Sequence, residues 1–180
     1  MSKIVLILIL LLGIVAAFHL WTIYRRSQDL YLDKLMTAHA KDAVSKAKID
    51  FSIQLDYTPE SITQVEKILD TIYNSYQQKP VDEITLGRES RLWGCYIGEV
   101  IKKIKDGKWQ RDSAVAGKGA LPLVFGVQDE VYPSAWVYKR LTNGDMDNVA
   151  YKYQVLIVER DKKYVDPNSP IHSEPIAKEK

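Results

Sequence analysis

The pattern of apolar and polar positions divides the chain into segments of different character. The first is an almost uninterrupted apolar run over residues 4–24, which begins with Ile4 and ends with Tyr24. A helix over this run would be roughly 30 Å long, enough to cross the hydrocarbon core of a bilayer. Trp21 and Tyr24 lie at its end, where aromatic side chains favour the membrane surface. The pattern therefore predicts a transmembrane anchor over residues 1–26, with the lipid bilayer as its partner.

A cleaved signal peptide is the competing interpretation of the same run. Residues 15–17 are small enough to form a cleavage site, and cleavage near Ala17 would release an exported binding protein. Because the apolar character continues to Tyr24, the uncleaved anchor is the favoured interpretation. Arg25 and Arg26 follow at once, and positive charge beside a span favours the cytoplasmic side. The domain is expected on that side, with a periplasmic or secreted domain as the alternative.

The segment after the two arginines, residues 27–48, is rich in Ala, Leu, Lys and Asp and contains neither Gly nor Pro. This composition is typical of a helix. Its apolar residues do not form a strong stripe at helical spacing. The segment is therefore predicted to be a polar helical spacer or a weak self-association surface.

The folded domain is expected over residues 49–163. Residues 51–55 alternate apolar and polar side chains, which predicts a half-buried strand. Thr58 and Pro59 then mark a helix start, with Thr58 as the cap and Pro59 at the first position. This helix is expected to end near residue 78, before Pro80. Its apolar face is formed by Ile62, Val65, Leu69, Ile72 and Tyr76.

A second amphipathic helix, within residues 86–109, is the predicted centre of the domain. Gly94 and Gly98 lie together on one side of it, where the absence of side chains lets a neighbour approach closely. Gly107 is expected in the left-handed conformation that ends many helices. The apolar stripe of this helix is formed by Leu86, Trp93, Ile97, Val100 and Ile104.

The remainder of the domain mixes extended and helical patterns. Residues 108–111 and 121–127 are predicted strands, and Pro133 starts a short helix that ends at an Asn-Gly pair. Residues 151–158 fit a helix, although their strand-forming side chains leave a strand open. Residues 164–180 hold three prolines and no core-forming run, so they are predicted to be a disordered tail.

These elements indicate an α+β fold behind an amino-terminal transmembrane helix. Two packed amphipathic helices, a short antiparallel sheet and two carboxy-terminal helices would form the small domain.

Composition narrows the possible chemistry. The 25 Lys and Arg residues nearly balance 23 Asp and Glu residues, which argues against a nucleic-acid binder. Cys95 is the only cysteine, so an intramolecular disulfide or a cysteine-based metal cluster is excluded. Residues 117–119 read GKG but lack the rest of a phosphate-binding loop and are interpreted as a turn. No cofactor, metal ion or catalytic motif is predicted.

Several short motifs resemble an uncharacterised bacterial domain family of unknown function. Residues 96–101 read YIGEVI and residues 107–109 read GKW. Residues 137–141 read VYKRL, with Pro133 before them and an Asn-Gly pair after them. The resemblance covers roughly residues 49–159. It implies a compact bacterial α+β module, and it implies no reaction.

The candidate site residues are a carboxylate, a cation and three aromatic side chains. Glu99 is expected to pair with Arg140, or to bind a partner's cation, unless it forms only a surface pair with Lys103. Core positions, or a groove that recognises a partner, are expected for Trp93, Tyr96 and Trp136.

The function that these observations favour is a non-catalytic binding or accessory module anchored in a bacterial inner membrane by a single span, with a protein partner. The alternative from another class is a hydrolase that uses carboxylates such as Glu99 and Asp129. That alternative requires two acids converging in one cleft.

Overall fold

The structure is a computed structural model, and it describes residues 3–126 and 129–160, apart from the side chains of residues 3–6, 8 and 9. The predicted disordered tail, residues 164–180, lies outside the described residues.

The described residues form five α-helices and one three-stranded antiparallel sheet, which confirms the predicted α+β class. A 3₁₀ turn, Gly144–Asp147, precedes the last α-helix, and a π-helical segment, Gln154–Glu159, continues it. In chain order the elements are α1 (Lys3–Phe51), α2 (Ser61–Gln78), α3 (Glu83–Lys105), β1 (Lys108–Trp109), β2 (Leu123–Phe125), β3 (Asp129–Val131), α4 (Pro133–Asn143) and α5 (Val149–Tyr153).

The sheet is small and supplies one row of side chains to the core. Its order is β1-β2-β3, and both pairings are antiparallel. Trp109 pairs with Leu123, which pairs in turn with Val131. All three side chains are buried. Because paired residues in neighbouring strands point to the same face, this row forms the inner side of the sheet.

Helix α3 lies at the centre, between α1 and α4, while α2 packs on α4 and α5. Trp93 and Ile97 are fully buried, as the stripe predicted. Ile104 is 49 % exposed, so its predicted place in the core is wrong. Residues seven apart do not stay on the same face of a straight α-helix, because seven is not a whole number of turns. The buried face has therefore passed to Ile101 by the last turns.

Gly94 and Gly98 of α3 allow the close packing that was predicted. A Cβ atom at Gly94 would lie 2.5 Å from the Cα of Ser134 in α4. A Cβ atom at Gly98 would lie 2.1 Å from the indole ring of Trp109. These distances are too short for any side chain, so glycine is required where α3 meets α4 and where it meets β1.

The boundaries of α2 and α3 differ from the predicted ones. Asp106, and not Gly107, adopts the left-handed conformation after α3, with φ 49° and ψ 45°. Helix α2 begins at Ser61, because residues 58–60 form a turn whose first bond runs from the Ser61 N–H to the Thr58 carbonyl at 3.1 Å. The predicted start, with Thr58 as the cap and Pro59 as the first residue, is thus two residues early.

The predicted strand over residues 51–55 is wrong. Helix α1 continues to Phe51 and is ended by Ser52, whose φ is 57°. The Ile53 N–H then donates to the Ala47 carbonyl at 3.0 Å. The alternating pattern therefore reflects a helix end followed by an irregular segment, in which Leu55 is buried.

The carboxy-terminal elements are helical, as the favoured interpretation predicted. Residues 149–153 are α-helical, and the π-helical segment follows without a break. The cap of α5 is Asn148, whose side chain accepts from the Tyr151 N–H at 2.9 Å.

Residues 27–48 are helical as predicted, but they are part of the core and not a separate spacer. They lie in α1, and this part of the helix packs along α3. The buried stripe that forms this contact consists mostly of alanine. Because alanine is only weakly hydrophobic, the stripe is hard to recognise in the sequence. The buried residues of the stripe are Leu32, Met36, Ala40, Ala43 and Ala47.

The first part of α1 has the opposite character. From residue 10 to residue 24 every large apolar side chain is exposed, and the exposed side chains lie on all sides of the helix. Among the residues that the structure describes, no helix combines the length and the apolar character needed to cross a membrane.

Candidate functional site

The three aromatic candidates belong to the core. Trp93 and Tyr96 are fully buried, and Trp136 is nearly so. The Trp93 Nε1–H donates to Glu89 Oε2 at 2.9 Å, and the hydroxyls of Tyr96 and Ser61 are 2.6 Å apart. The polar atoms of Trp93 and Tyr96 are thus used inside the domain. Direct recognition of a partner, the second expectation for these residues, is not available to enclosed side chains.

Glu99 joins α1, α3 and β1. Its Oε1 accepts from Trp109 Nε1 at 2.9 Å and from Lys102 Nζ at 3.1 Å, and its Oε2 accepts from Thr37 Oγ1 at 3.3 Å. Lys102 also donates to Asp33 on α1 at 2.6 Å. Burial alone would lower the pKa of Lys102, but its bonds to Asp33 and Glu99 outweigh burial and raise that pKa.

The expected partners of Glu99 are therefore wrong. Its cationic partner is Lys102, three residues further along the helix, and neither Arg140 nor Lys103. Lys103 lies instead over the ring of Tyr57, 4.8 Å from its centroid.

Arg140 organises a second cluster that joins α2, α4 and α5. It is 1 % exposed, and its Nε donates to Glu66 Oε1 at 2.5 Å while Nη2 donates to Asp70 Oδ1 at 2.7 Å. The other oxygen of Glu66 accepts from the Val149 N–H at 2.7 Å. Burial opposes the guanidinium charge, yet the two carboxylates raise the pKa of Arg140. This arrangement holds helices together.

A third cluster places a serine beside a carboxylate, which sequence reasoning missed. Ser113 Oγ and the Tyr132 hydroxyl both lie 2.5 Å from Glu130 Oε2, and they donate to it. Ser113 Oγ also accepts from the N–H groups of Val115 and Ala116. The bond from Ser113, and then the bond from Tyr132, lower the pKa of Glu130. A lowered pKa makes Glu130 a weaker base, and its bonds to Ser113 and to the Ala114 N–H fasten the loop to β3.

Cys95 is enclosed in the core, and Glu99 and Asp129 are each bound to other side chains. Burial raises the pKa of the Cys95 thiol to about 12, so the thiolate that acts as a nucleophile is not formed near neutral pH.

The two acids of the hydrolase hypothesis do not share a partner. Glu99 is bound as described above, and Asp129 forms its ion pair with Arg160. Within the described ranges, no group of three His, Cys, Asp or Glu residues could hold a metal ion.

A groove lies between α1 and the segment that begins with β1, and we call it the α1–β1 groove. It consists of a cavity of about 450 Å³ and a second of about 400 Å³, and Asp29 lines both. The first is lined by Arg26, Asp29, Leu30, Asp33, Lys102, Gly107, Lys108 and Trp109. The second is lined by Tyr24, Arg25, Gln28, Asp29, Gln110, Arg111 and Asp112.

Sequence reasoning missed this groove because its two sides are about 80 residues apart in the chain. The available signals were Arg25 and Arg26 after the apolar run, and Lys108 and Arg111 on either side of a tryptophan-containing strand. None of these shows by itself that the two pairs face one another.

Comparison of the chain with protein-family models, with curated proteins and with solved structures gives no match. The resemblance to an uncharacterised bacterial family therefore stays a prediction. The structure gives its motif residues a physical role, because Gly98 makes room for the Trp109 ring and Glu99 accepts the Trp109 N–H. These motif residues specify packing.

Proposed function

We propose that this protein is a non-catalytic binding module attached to a bacterial membrane, with its folded domain fixed close to the membrane surface. The observation that carries the proposal is the continuity of α1. One helix of 49 residues contains both the exposed apolar segment and the stripe that packs on α3.

Lipid is the partner that best fits the exposed segment. A helix that is apolar on every side requires an apolar environment on every side, whereas a helix beside a protein core needs only one apolar face. In the sequence the apolar run begins at Ile4, before the first described side chain, and at roughly 30 Å it matches a bilayer core. Arg25 lies 4.8 Å from the centre of the Trp21 ring, which places a cation and an aromatic side chain together where the run ends.

A binding role is supported by exposed apolar and aromatic side chains on and next to α5. Met146 and Tyr151 are exposed, at 95 % and 69 %. A groove of about 370 Å³ also separates the start of α2 from α5, and the buried Tyr153 in its lining has a hydroxyl without a hydrogen-bond partner among the described residues. We place the contact with a protein partner here, since apolar and aromatic surface is what such a partner would bury.

The membrane attachment is tested by placing charges in the apolar segment of the full chain. The variant carries Leu12→Arg and Val15→Arg. Each arginine near the middle of a span costs about 2.5–3.5 kcal/mol on insertion. We expect the unmodified chain to remain with bacterial membranes after a sodium carbonate wash and the variant to be released.

A matched control carries the same change at two exposed apolar positions of the domain, Val115→Arg and Met146→Arg. It should remain with the membranes. Mass spectrometry of the isolated chain checks for cleavage near Ala17. An unmodified chain found intact in the soluble fraction, or cleaved at that position, would contradict the proposal.

A further inference from the structure

The α1–β1 groove lies beside the end of the apolar segment. Arg25 and Arg26 follow Tyr24 directly, and all three residues line the groove. At 1.5 Å per residue, the distance along α1 from Arg26 to Asp33 is roughly 10 Å. The headgroup layer on each side of a bilayer is about 5–8 Å thick. With the apolar segment in lipid, the groove would therefore open at the level of the headgroups.

The charges that remain available in this groove are mainly positive. Asp33 already binds Lys102, and Asp112 accepts the Gly119 N–H at 3.0 Å. Lys108 and Arg111 are exposed, and neither forms an ion pair with another described residue. With Asp33 and Lys102 paired, the lining holds four further cations, Arg25, Arg26, Lys108 and Arg111, against two further acids, Asp29 and Asp112.

We propose that the α1–β1 groove binds the phosphate of an anionic lipid headgroup. This inference rests on the proposed membrane attachment. Arginine presents a planar pair of N–H donors that matches two phosphate oxygens, and lysine adds a point charge. The flat face of the Arg25 guanidinium packs over the Trp21 ring. The N–H groups at the edge of the guanidinium therefore remain able to donate to a phosphate.

The charge balance favours an anionic over a zwitterionic lipid. A choline headgroup carries its own cation, which the four cations of the groove repel. A glycerol headgroup carries the phosphate charge without a cation. The groove should therefore distinguish phosphatidylglycerol from phosphatidylcholine.

Hydrogen exchange of the full chain in nanodiscs tests this inference. Two preparations are compared, one of phosphatidylcholine alone and one that also contains phosphatidylglycerol. We expect the amides of residues 107–113 to exchange more slowly with phosphatidylglycerol, by about five-fold or more, because each Lys or Arg at an anionic surface contributes roughly that factor to binding. The difference should shrink at high salt.

The variant Lys108→Gln with Arg111→Gln removes both unpaired charges of the β1 side, and both side chains are exposed, so the fold should be kept. It should lose the difference between the two lipids. The matched control, Lys67→Gln with Lys139→Gln, changes two exposed lysines of α2 and α4 and should keep it.

The outcomes separate this inference from the proposed function. A chain that enters neither kind of nanodisc contradicts the membrane attachment itself. A chain that enters both and exchanges equally in both overturns only the headgroup site. Equal protection by soluble glycerol phosphate in phosphatidylcholine discs would also overturn it, because the ligand would then be a free phosphate.

Discussion

Two residues show how little freedom the core contacts leave. Gly98 faces the Trp109 ring, and Arg140 is enclosed with Glu66 as its partner. The effect of a substitution on the free energy of unfolding can be measured at both positions. Another residue of the same helix serves as the control in each case.

Gly98→Ala should destabilise the protein. The new methyl group would lie 2.1 Å from the Trp109 ring, so the ring must move and its bond to Glu99 must lengthen. Overpacking of this kind costs about 1–3 kcal/mol in the free energy of unfolding. Gly87→Ala, also in α3, has no atom within 4 Å of the new methyl group and should raise that free energy by about 0.4–1 kcal/mol. Urea unfolding measures both, and equal effects would contradict the packing argument.

Arg140→Met should lower the free energy of unfolding by about 3 kcal/mol, because Glu66 would remain enclosed without its cation. Asp70 contributes less, since its side chain is 55 % exposed. Lys139→Met, one residue earlier and exposed, should change stability by no more than about 0.5 kcal/mol. Thermal and urea unfolding test the pair. A neutral Arg140→Met would show that the network contributes little.

At the scale of elements, helices α2, α3 and α4 were predictable because each combines a clear apolar stripe with a recognisable end. The role of α1 was not predictable in the same way. Alanine contributes little to a hydrophobic pattern, so Ala40, Ala43 and Ala47 gave a weak signal although all three are fully buried. The partners of Glu99 and Arg140 were missed for another reason. Glu66, Asp70 and Thr37 lie on other elements far along the chain, and local spacing carries no information about them. Lys102 lies three residues from Glu99 on α3, so local spacing allowed this pair as well as the expected one with Lys103.

Ala43→Leu tests whether α1 packs closely on α3. The larger side chain should separate the helices and lower the free energy of unfolding by about 1–3 kcal/mol. Ala38→Leu, on the exposed side of the same helix, should be nearly neutral. Chemical denaturation in detergent gives the comparison. A neutral Ala43→Leu would place this part of α1 away from the core.

The start of α3 predicts a dependence on pH. Asp82 caps the helix by accepting the Thr85 N–H at 2.7 Å, and this bond lowers the pKa of the carboxyl group. A lowered pKa stabilises the fold above the ordinary value for Asp, about 3.9, and that contribution is lost as the pH falls through the folded-state pKa. Asp82→Asn keeps a capping oxygen without the titration. As the pH falls from about 5 to about 3, the variant should lose less stability than the unmodified chain in urea unfolding.

At the scale of the whole molecule, the continuity of α1 is the feature on which both proposals depend. Ser27→Pro would break the helix between the apolar segment and the first core residue, Leu32. We expect membrane attachment to persist, because the apolar segment is unchanged. The lipid-dependent protection of residues 107–113 should disappear, since the groove would no longer be held at a fixed height. Protection that survives the proline would show that the groove finds lipid without a rigid helix.

The absence of a break in α1 limits how such a domain could move. With its apolar end in lipid, the domain could diffuse in the plane of the bilayer and rotate about the membrane normal, but it could not swing outward as a domain on a loose tether does. A partner in the same bilayer would therefore reach the domain by diffusion in two dimensions and would always meet it at the same distance from the membrane. A partner arriving from the aqueous phase would find only the side turned away from the lipid accessible.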